Sequence, residues 1–223
     1  KIVLFILISF VPIQSSIAFT LNSVALGVPE GLSQSNLTSI VEDDDGYVWI
    51  GTLNGLNRYD GKKFQHYFPS ERNELASAFI RSLYISQSGS MFVGTDKGLS
   101  VYDPLQDKIT SSKALGFELN EAVWTIHEHQ NNIFIGTENA IYIINELSNK
   151  MLSLKNKYNG DFGTVKNILF FKNKMFARSY SGNVYQFDEQ VKLIAENVNA
   201  TKVIKDELIV FKKSGTFIYN NES

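Results

Sequence analysis

An all-β propeller built of four-stranded antiparallel blades is the fold this sequence predicts, and three observations predict it. The first is a recurring phrase: Trp49-Ile50-Gly51-Thr52, Phe92-Val93-Gly94-Thr95 and Phe134-Ile135-Gly136-Thr137, with a worn copy at Phe176-Ala177-Arg178-Ser179. The copies stand 42 or 43 residues apart, and a repeat of about 40 to 45 residues is the length of one four-stranded blade. The second is punctuation, since short runs rich in aromatic and β-branched residues are divided by Gly, Asn or Asp, the residues tight turns demand. The third is composition. With 223 residues, 43% hydrophobic and 20% charged, the chain can bury a large core and is not of the disordered class.

The N-terminus reads differently from the rest. Lys1 precedes an unbroken apolar run from Ile2 to Ile8, extended by Phe10 and Val11 and closed by Pro12, Gln14, Ser15 and Ser16. Roughly ten apolar residues are too few to cross a hydrocarbon core of about 30 Å, but they fit a secretory h-region. Ser16-Ile17-Ala18 supplies small residues for cleavage before Phe19. Residues 1–18 are therefore expected to be a signal peptide and the mature protein to be exported. The remainder, 19–223, is expected to be propeller, in units at about 33–70, 77–113, 120–157, 162–197 and 200–223.

In the first unit, Leu37, Ile40 and Val41 lead to Asp45-Gly46, a hairpin signal of the type I′ kind, and the run from Tyr47 to Ile50 follows. Asn54-Gly55 turns into Leu56–Tyr59, and Asp60-Gly61 turns into the alternating stretch Lys63–Tyr67, the pattern of an outer edge strand. The later units repeat this plan with turns at Ser88-Gly89 and Lys97-Gly98, Asn131-Asn132 and Asn139-Ala140, Asn173 and Ser181-Gly182. The fifth unit is shortened, with its first strand placed at Val203-Ile204 and turns at Asp206-Glu207 and Ser214-Gly215. Trp49, Phe92, Phe134 and Phe176 form a column expected to pack between neighbouring blades. The Gly that follows each is expected to let sheets approach closely; Arg178 and Phe211 stand in its place in units four and five. A ring of seven such units would need roughly 290 residues, so an incomplete ring is expected. The alternative is a small five-bladed ring closed by an outer strand from residues 20–26.

Residues 31–67 resemble the two-component-regulator propeller repeat. The match rests on Gly31-Leu32-Ser33-Gln34-Ser35-Asn36-Leu37-Thr38-Ser39-Ile40, on Asp45-Gly46-Tyr47-Val48-Trp49-Ile50-Gly51-Thr52, and on Asn54-Gly55-Leu56-Asn57-Arg58-Tyr59-Asp60-Gly61. Units two and three match at their cores and units four and five loosely. The resemblance implies a periplasmic sensor region, often of two seven-bladed rings, followed by a β-sandwich domain, a membrane span and a cytoplasmic kinase, cyclase or DNA-binding output. It also implies a small-molecule ligand, an oligosaccharide being the expected type, and a homodimer formed through propeller contacts. Any membrane attachment would come through segments outside this sequence.

Other chemistry finds little material. Net charge is −2 and no Lys/Arg cluster stands out, so nucleic acid is not an expected partner. Cysteine is absent, which removes disulfides and thiolate ligands. Glu42-Asp43-Asp44-Asp45-Gly46 invites a calcium reading. The EF-hand spacing puts its first and last ligands on Val41 and Thr52, so a solvated acidic hairpin is expected instead. His127 and His129 share one strand face, but no third ligand is visible and His127 falls in a column otherwise apolar. No metal, cofactor or catalytic residue is therefore expected.

The candidate binding residues are Arg81, Trp124 and Lys166, which with Thr38 each follow the first apolar residue of a unit's innermost strand. Alternation along that strand should turn them away from their apolar neighbours. Arg178 and Tyr180 join them, together with Asn54, Asp96 and Glu138, from the loops after each second strand, which should open on the face of the blade-to-blade connections. A guanidinium beside an aromatic ring suits a sugar or carboxylate ligand. Binding without catalysis is the expected function; a secreted polysaccharide-active hydrolase or lyase, or a protein-docking scaffold, are the alternatives.

Overall fold

The computed structural model describes residues 24–145, 148, 150–158 and 160–219. The expected signal peptide lies outside them. So do residues 20–23 of the segment proposed to close a five-bladed ring; residues 24–26 are in no strand. A short 3-10 turn at Val28–Glu30 leads into the first sheet.

The described residues form five antiparallel sheets, each made of strands consecutive in sequence. Blade one holds β1 (Leu37–Glu42), β2 (Val48–Thr52), β3 (Gly55–Tyr59) and β4 (Phe64–Tyr67). Blade two holds β5 (Ile80–Ile85), β6 (Met91–Thr95), β7 (Gly98–Asp103) and β8 (Lys108–Ser111). Blade three holds β9 (Val123–His129), β10 (Asn132–Thr137), β11 (Ile141–Asn145) and β12 (Lys150–Ser153). Blade four holds β13 (Val165–Phe171), β14 (Lys174–Ser179), β15 (Val184–Phe187) and β16 (Val191–Ala195), and blade five β17 (Val198–Ile204), β18 (Glu207–Lys212) and β19 (Gly215–Tyr219). The first strands pack against one another in series, β1 on β5, β5 on β9, β9 on β13 and β13 on β17. The chain is thus a β-propeller array whose innermost strands come first in each unit. One element departs from the all-β expectation: helix α1 (Leu154–Tyr158) links blades three and four, held because Leu154 is buried in the same cluster as Phe162 and Phe187.

The recurring phrase explains how one blade meets the next. Each Gly of the phrase faces the first residue of the following inner strand so closely that a Cβ would sit 2.6 Å from Ile80 Cγ2 at Gly51, 2.6 Å from Val123 Cγ1 at Gly94, and 2.8 Å from Val165 Cγ1 at Gly136. No side chain fits there. Ile80 and Val123 are accordingly 0% exposed, whereas Leu37, which begins the inner strand of blade one, is 57% exposed. The aromatic two residues before the Gly column packs across the same seam: Trp49 among Leu83, Met91 and Val93, Phe92 among Ile126, Ile133 and Ile135, Phe134, partly buried, against the cluster of Val165 and Ile168, and Phe176 beside Leu208. The Thr after each Gly, a role the sequence reading left open, closes the next turn. Thr52, Thr95 and Thr137 are buried, and their hydroxyls donate to the carbonyls of Gly55, Gly98 and Ala140 at 2.8, 2.9 and 3.0 Å. Each buried hydroxyl thus has the hydrogen-bond partner that burial demands.

The first hairpin turns differ from expectation. In the first hairpin turn of blade one only Gly46 has a positive φ, and the turn spans Asp43 to Gly46, closed by Gly46 N–H donating to Asp43 O at 3.0 Å. It is not a two-residue type I′ turn. The reason is Asp43, whose carboxylate accepts from the backbone N–H of Asp45 (3.1 Å) and Tyr47 (2.9 Å) and from Trp49 Nε1 (2.6 Å). Blade two uses the same turn, with Gly89 N–H donating to Ser86 O. Two-residue turns with both central φ positive appear instead at Gln130-Asn131, Lys172-Asn173 and Lys205-Asp206, one residue earlier than read for blades three and five. The acidic hairpin is therefore not merely solvated, because Asp43 holds both its turn and the core tryptophan. Replacing Asp43 with Ala leaves the indole N–H of buried Trp49 unpaired and is expected to cost about 1–3 kcal/mol in chemical denaturation. A loss under about 0.5 kcal/mol would contradict that role for Asp43.

Candidate functional site

Every inner strand is interrupted by a β-bulge one residue after its start. Pairing jumps from Leu37 to Ser39, from Ile80 to Ser82, from Val123 to Thr125, from Val165 to Asn167 and from Val198 to Ala200. The residues skipped are Thr38, Arg81, Trp124, Lys166 and Asn199. A bulge re-aims a side chain that regular alternation would send elsewhere, so the fold presents one unpaired position per blade at the same end of each inner strand. Strand alternation alone does not set this column apart; the bulge delivers it. Asn199 falls outside the sequence-based expectation because the inner strand of blade five begins at Val198 rather than at Val203.

Four of the five candidate residues touch in a row. The Arg81 guanidinium carbon lies 4.0 Å from the Trp124 ring centre and 4.5 Å from that of Phe79. Lys166 Nζ lies 5.4 Å from the Trp124 ring centre and 4.7 Å from that of Tyr180. Trp124 and Tyr180 meet edge to face at 6.1 Å. Cation–π pairing of this kind contributes about 0.5–2 kcal/mol per contact. The result is a ladder, Arg81–Trp124–Lys166–Tyr180, running across blades two, three and four.

The loops after the second strands do share this face. Gly55 N–H donates to Ala78 O at 2.7 Å, Asp96 N–H to Phe79 O at 3.1 Å, and Tyr180 N–H to Thr164 O at 2.7 Å, which ties each loop to a blade connection. Arg178, however, is not in a loop. It lies within β14, paired with Asn167 on one side and Val184 on the other, in the column that Gly occupies in blades one to three. Its side chain lines a cavity of about 830 Å³ between blades four and five, shared with Lys166, Tyr180, Asn199, Lys212 and Lys213. Burial pushes the Arg178 guanidinium pKa below its usual value.

Hydrogen-bond accounting singles out the same place. Among the described residues, the buried side-chain atoms without a partner are Arg81 Nε, Asp96 Oδ1, Trp124 Nε1 and Arg178 Nε. All four belong to this face. An unsatisfied buried polar atom costs about 1–3 kcal/mol, and such atoms are rare enough that each calls for a partner.

His127 and His129 lie toward the other end of β9. His129 stacks on Phe170 at 3.9 Å and 10°, and His127 stacks on the same ring at 5.6 Å and 19°. Glu128, between them, is buried and accepts from Gln87 N–H at 2.8 Å. No group of three metal-ligating side chains occurs among the described residues. Burial, with His129 adjacent and against the pull of Glu128, holds the His127 imidazole below its usual pKa of 6.5. The unfolded chain therefore binds the proton first, so stability present above about pH 6.5 is lost as pH falls toward the folded-state value. His127→Phe should flatten the dependence of the denaturation midpoint between about pH 7.5 and 5.5. An unchanged slope would show that His127 does not carry it.

Residues 31–54 match the family model described as Two component regulator propeller, in agreement with the resemblance read from the sequence. Over 38 residues, 17% of this chain and 3% of the relative, the sequence is 47% identical to Histidine kinase P4 of Formosa agariphila. The extracellular domain of the hybrid two component system BT3049 of B. thetaiotaomicron superposes with a TM-score of 0.77 at 17% identity, over 89% of this chain and 30% of that one. Virginiamycin B lyase of Staphylococcus aureus gives 0.56 at 16% identity, over 82% and 69%. The chain thus spans less than a third of the kinase and of the extracellular domain, and likeness at these identities to the solved structures is likeness of fold.

Proposed function

We propose that this chain is the ligand-sensing propeller region of an exported signalling receptor and that it works by binding, with no reaction of its own. The repeat at residues 31–54, the identity shared with a histidine kinase and the fold shared with an extracellular two component domain support that reading. The observation that carries it is the convergence of the bulge ladder with the four orphaned buried polar atoms. A ligand carrying both donors and acceptors would satisfy Arg81, Trp124 and Arg178 on one side and Asp96 on the other. Aromatic faces at Trp124 and Tyr180 suit the apolar faces of sugar rings, so an oligosaccharide is the proposed ligand class. The site would lie in the periplasm, and signalling would follow from a ligand's different affinity for two arrangements of the propeller.

The test is calorimetric titration of the chain with neutral and acidic oligosaccharides of two to four sugars, each mixture then analysed by mass spectrometry. Saturable binding of at least one oligosaccharide with no new product is the expected result. Product formation would support the polysaccharide-active enzyme, a reading open to any protein sharing the fold of a propeller lyase. Absence of binding across the whole set would remove the glycan reading.

A further inference from the structure

We propose that the cavity between blades four and five is an oxyanion subsite, built to take a carboxylate or sulfate group carried on a sugar, with Arg178 as the residue that grips it. The argument begins with the column Arg178 occupies. In blades one to three this position is Gly, and a Cβ there would collide with the next inner strand. In blade four a cavity lies at the seam with blade five, and the place holds the largest cationic side chain instead. Half-burying such a side chain carries a desolvation cost that a paired anion offsets.

No such anion is supplied by the described residues. Arg178 Nε has no hydrogen-bond partner, and none of the ion pairs among the described residues involves it. The cavity adds three further cations, Lys166, Lys212 and Lys213, against a single carboxylate, Glu196. Four positive groups around one negative one attract an anion and leave its charge only partly balanced by the protein. A guanidinium presents parallel N–H donors that match the two oxygens of a carboxylate or of a sulfate. Asn199, the bulged residue of blade five, lines the same wall and brings an amide that can both donate and accept.

The cavity is continuous with the ladder through Lys166 and Tyr180. Tyr180 is 66% exposed, and its ring stands at the boundary between the two. A ligand with a sugar ring against Tyr180 and Trp124 would place an acidic substituent into the cavity. The anion preference rests on the cavity alone, whereas the sugar that carries the anion rests on the reading above.

Four probes separate these parts: trigalacturonate, the neutral trisaccharide galactotriose, galacturonic acid and potassium sulfate. Each is titrated into the chain and into the Arg178→Gly, Arg178→Lys and Lys213→Glu variants, with folding checked by circular dichroism. Arg178→Gly restores the residue of the other blades and is therefore the variant that should fold best. Trigalacturonate is expected to bind more tightly than galactotriose by at least tenfold and to weaken as salt rises. Arg178→Gly is expected to remove that preference, and Arg178→Lys to keep part of it. Equal affinity for the acidic and neutral trisaccharides, or full retention of the preference in Arg178→Gly, would overturn the proposal. So would a lack of response to all four probes. Responses to galacturonic acid and sulfate that depend on Arg178, with none to either trisaccharide, would support the anion subsite and remove the glycan.

Discussion

Gly94→Val lowers the stability of this chain by about 3 kcal/mol or more, and Arg178→Gly, a change in the same column two repeats further on, leaves it within about 1 kcal/mol. The first figure follows from geometry. A β-carbon at Gly94 would come within 2.6 Å of Val123 Cγ1 and closer still to Ser82 Oγ. Val123 is completely buried and belongs to the cluster that joins blades two and three, so it has nowhere to retreat. Valine adds two more carbons to that collision, and the seam must open for the length of both inner strands. For a chain of this size, 3 kcal/mol corresponds to a fall in melting temperature of roughly 6–12 °C. At Arg178 two small effects oppose each other: Gly in a strand costs about 0.5–1 kcal/mol in backbone entropy, and removal of a half-buried unpaired guanidinium returns a comparable amount. Thermal melts of the two variants side by side make the comparison. Equal destabilisation by both would mean that the seam between blades four and five is as closed as the others, and the cavity account would fail with it.

Trp124→Ala is expected to weaken binding of the proposed glycan ligand by about tenfold to a hundredfold, the second large effect. The ring of Trp124 is the one contact shared by Arg81 on blade two and Lys166 on blade four. Removing it takes away a stacking surface and also the support that orients both cations. Each 1.4 kcal/mol is a factor of ten in affinity, and a stacking face together with one cation–π contact lies in the range of 1–3 kcal/mol. Trp124→Phe keeps a ring but loses Nε1, one of the orphaned donors, and should fall between the two. Binding by Trp124→Ala at the affinity of the unchanged chain would show that the ladder is a packing feature and that ligands are read elsewhere.

Much of the fold was legible in the sequence because it is local and repeated. A four-residue phrase at a constant interval fixes blade length, the aromatic column and the close seam, since all three depend on residues only a few positions apart. The candidate column of Arg81, Trp124 and Lys166 was legible for the same reason. Its cause was not, because a bulge is a property of two paired strands and appears only when Ile80 and Ser82 are both seen opposite β6. Asn199 escaped notice where the spacing shortens and Phe211 stands in the Gly column. The pair Val198-Asn199 nevertheless repeats the apolar-then-polar step of Val165-Lys166, and that signal would have placed the strand. The hairpin of blade one was read from Asp45-Gly46, whereas its geometry is set by the Asp43 carboxylate, which reaches Trp49 six residues away. Arg178 looks like a loop residue in the sequence because the phrase it belongs to has decayed, whereas it pairs within β14. Which polar atoms lack partners could not be read at all, since burial depends on every blade at once.

The central claim is that one bulged side chain per blade forms a single ligand-reading surface, and fluorine NMR of the chain labelled with 5-fluorotryptophan tests it most directly. The sequence has two tryptophans, one on that surface and one, Trp49, only 1% exposed between blades one and two. Addition of an oligosaccharide that binds should shift the Trp124 resonance saturably and leave that of Trp49 in place. A shift confined to Trp49, or saturable binding with neither resonance moving, would contradict the claim.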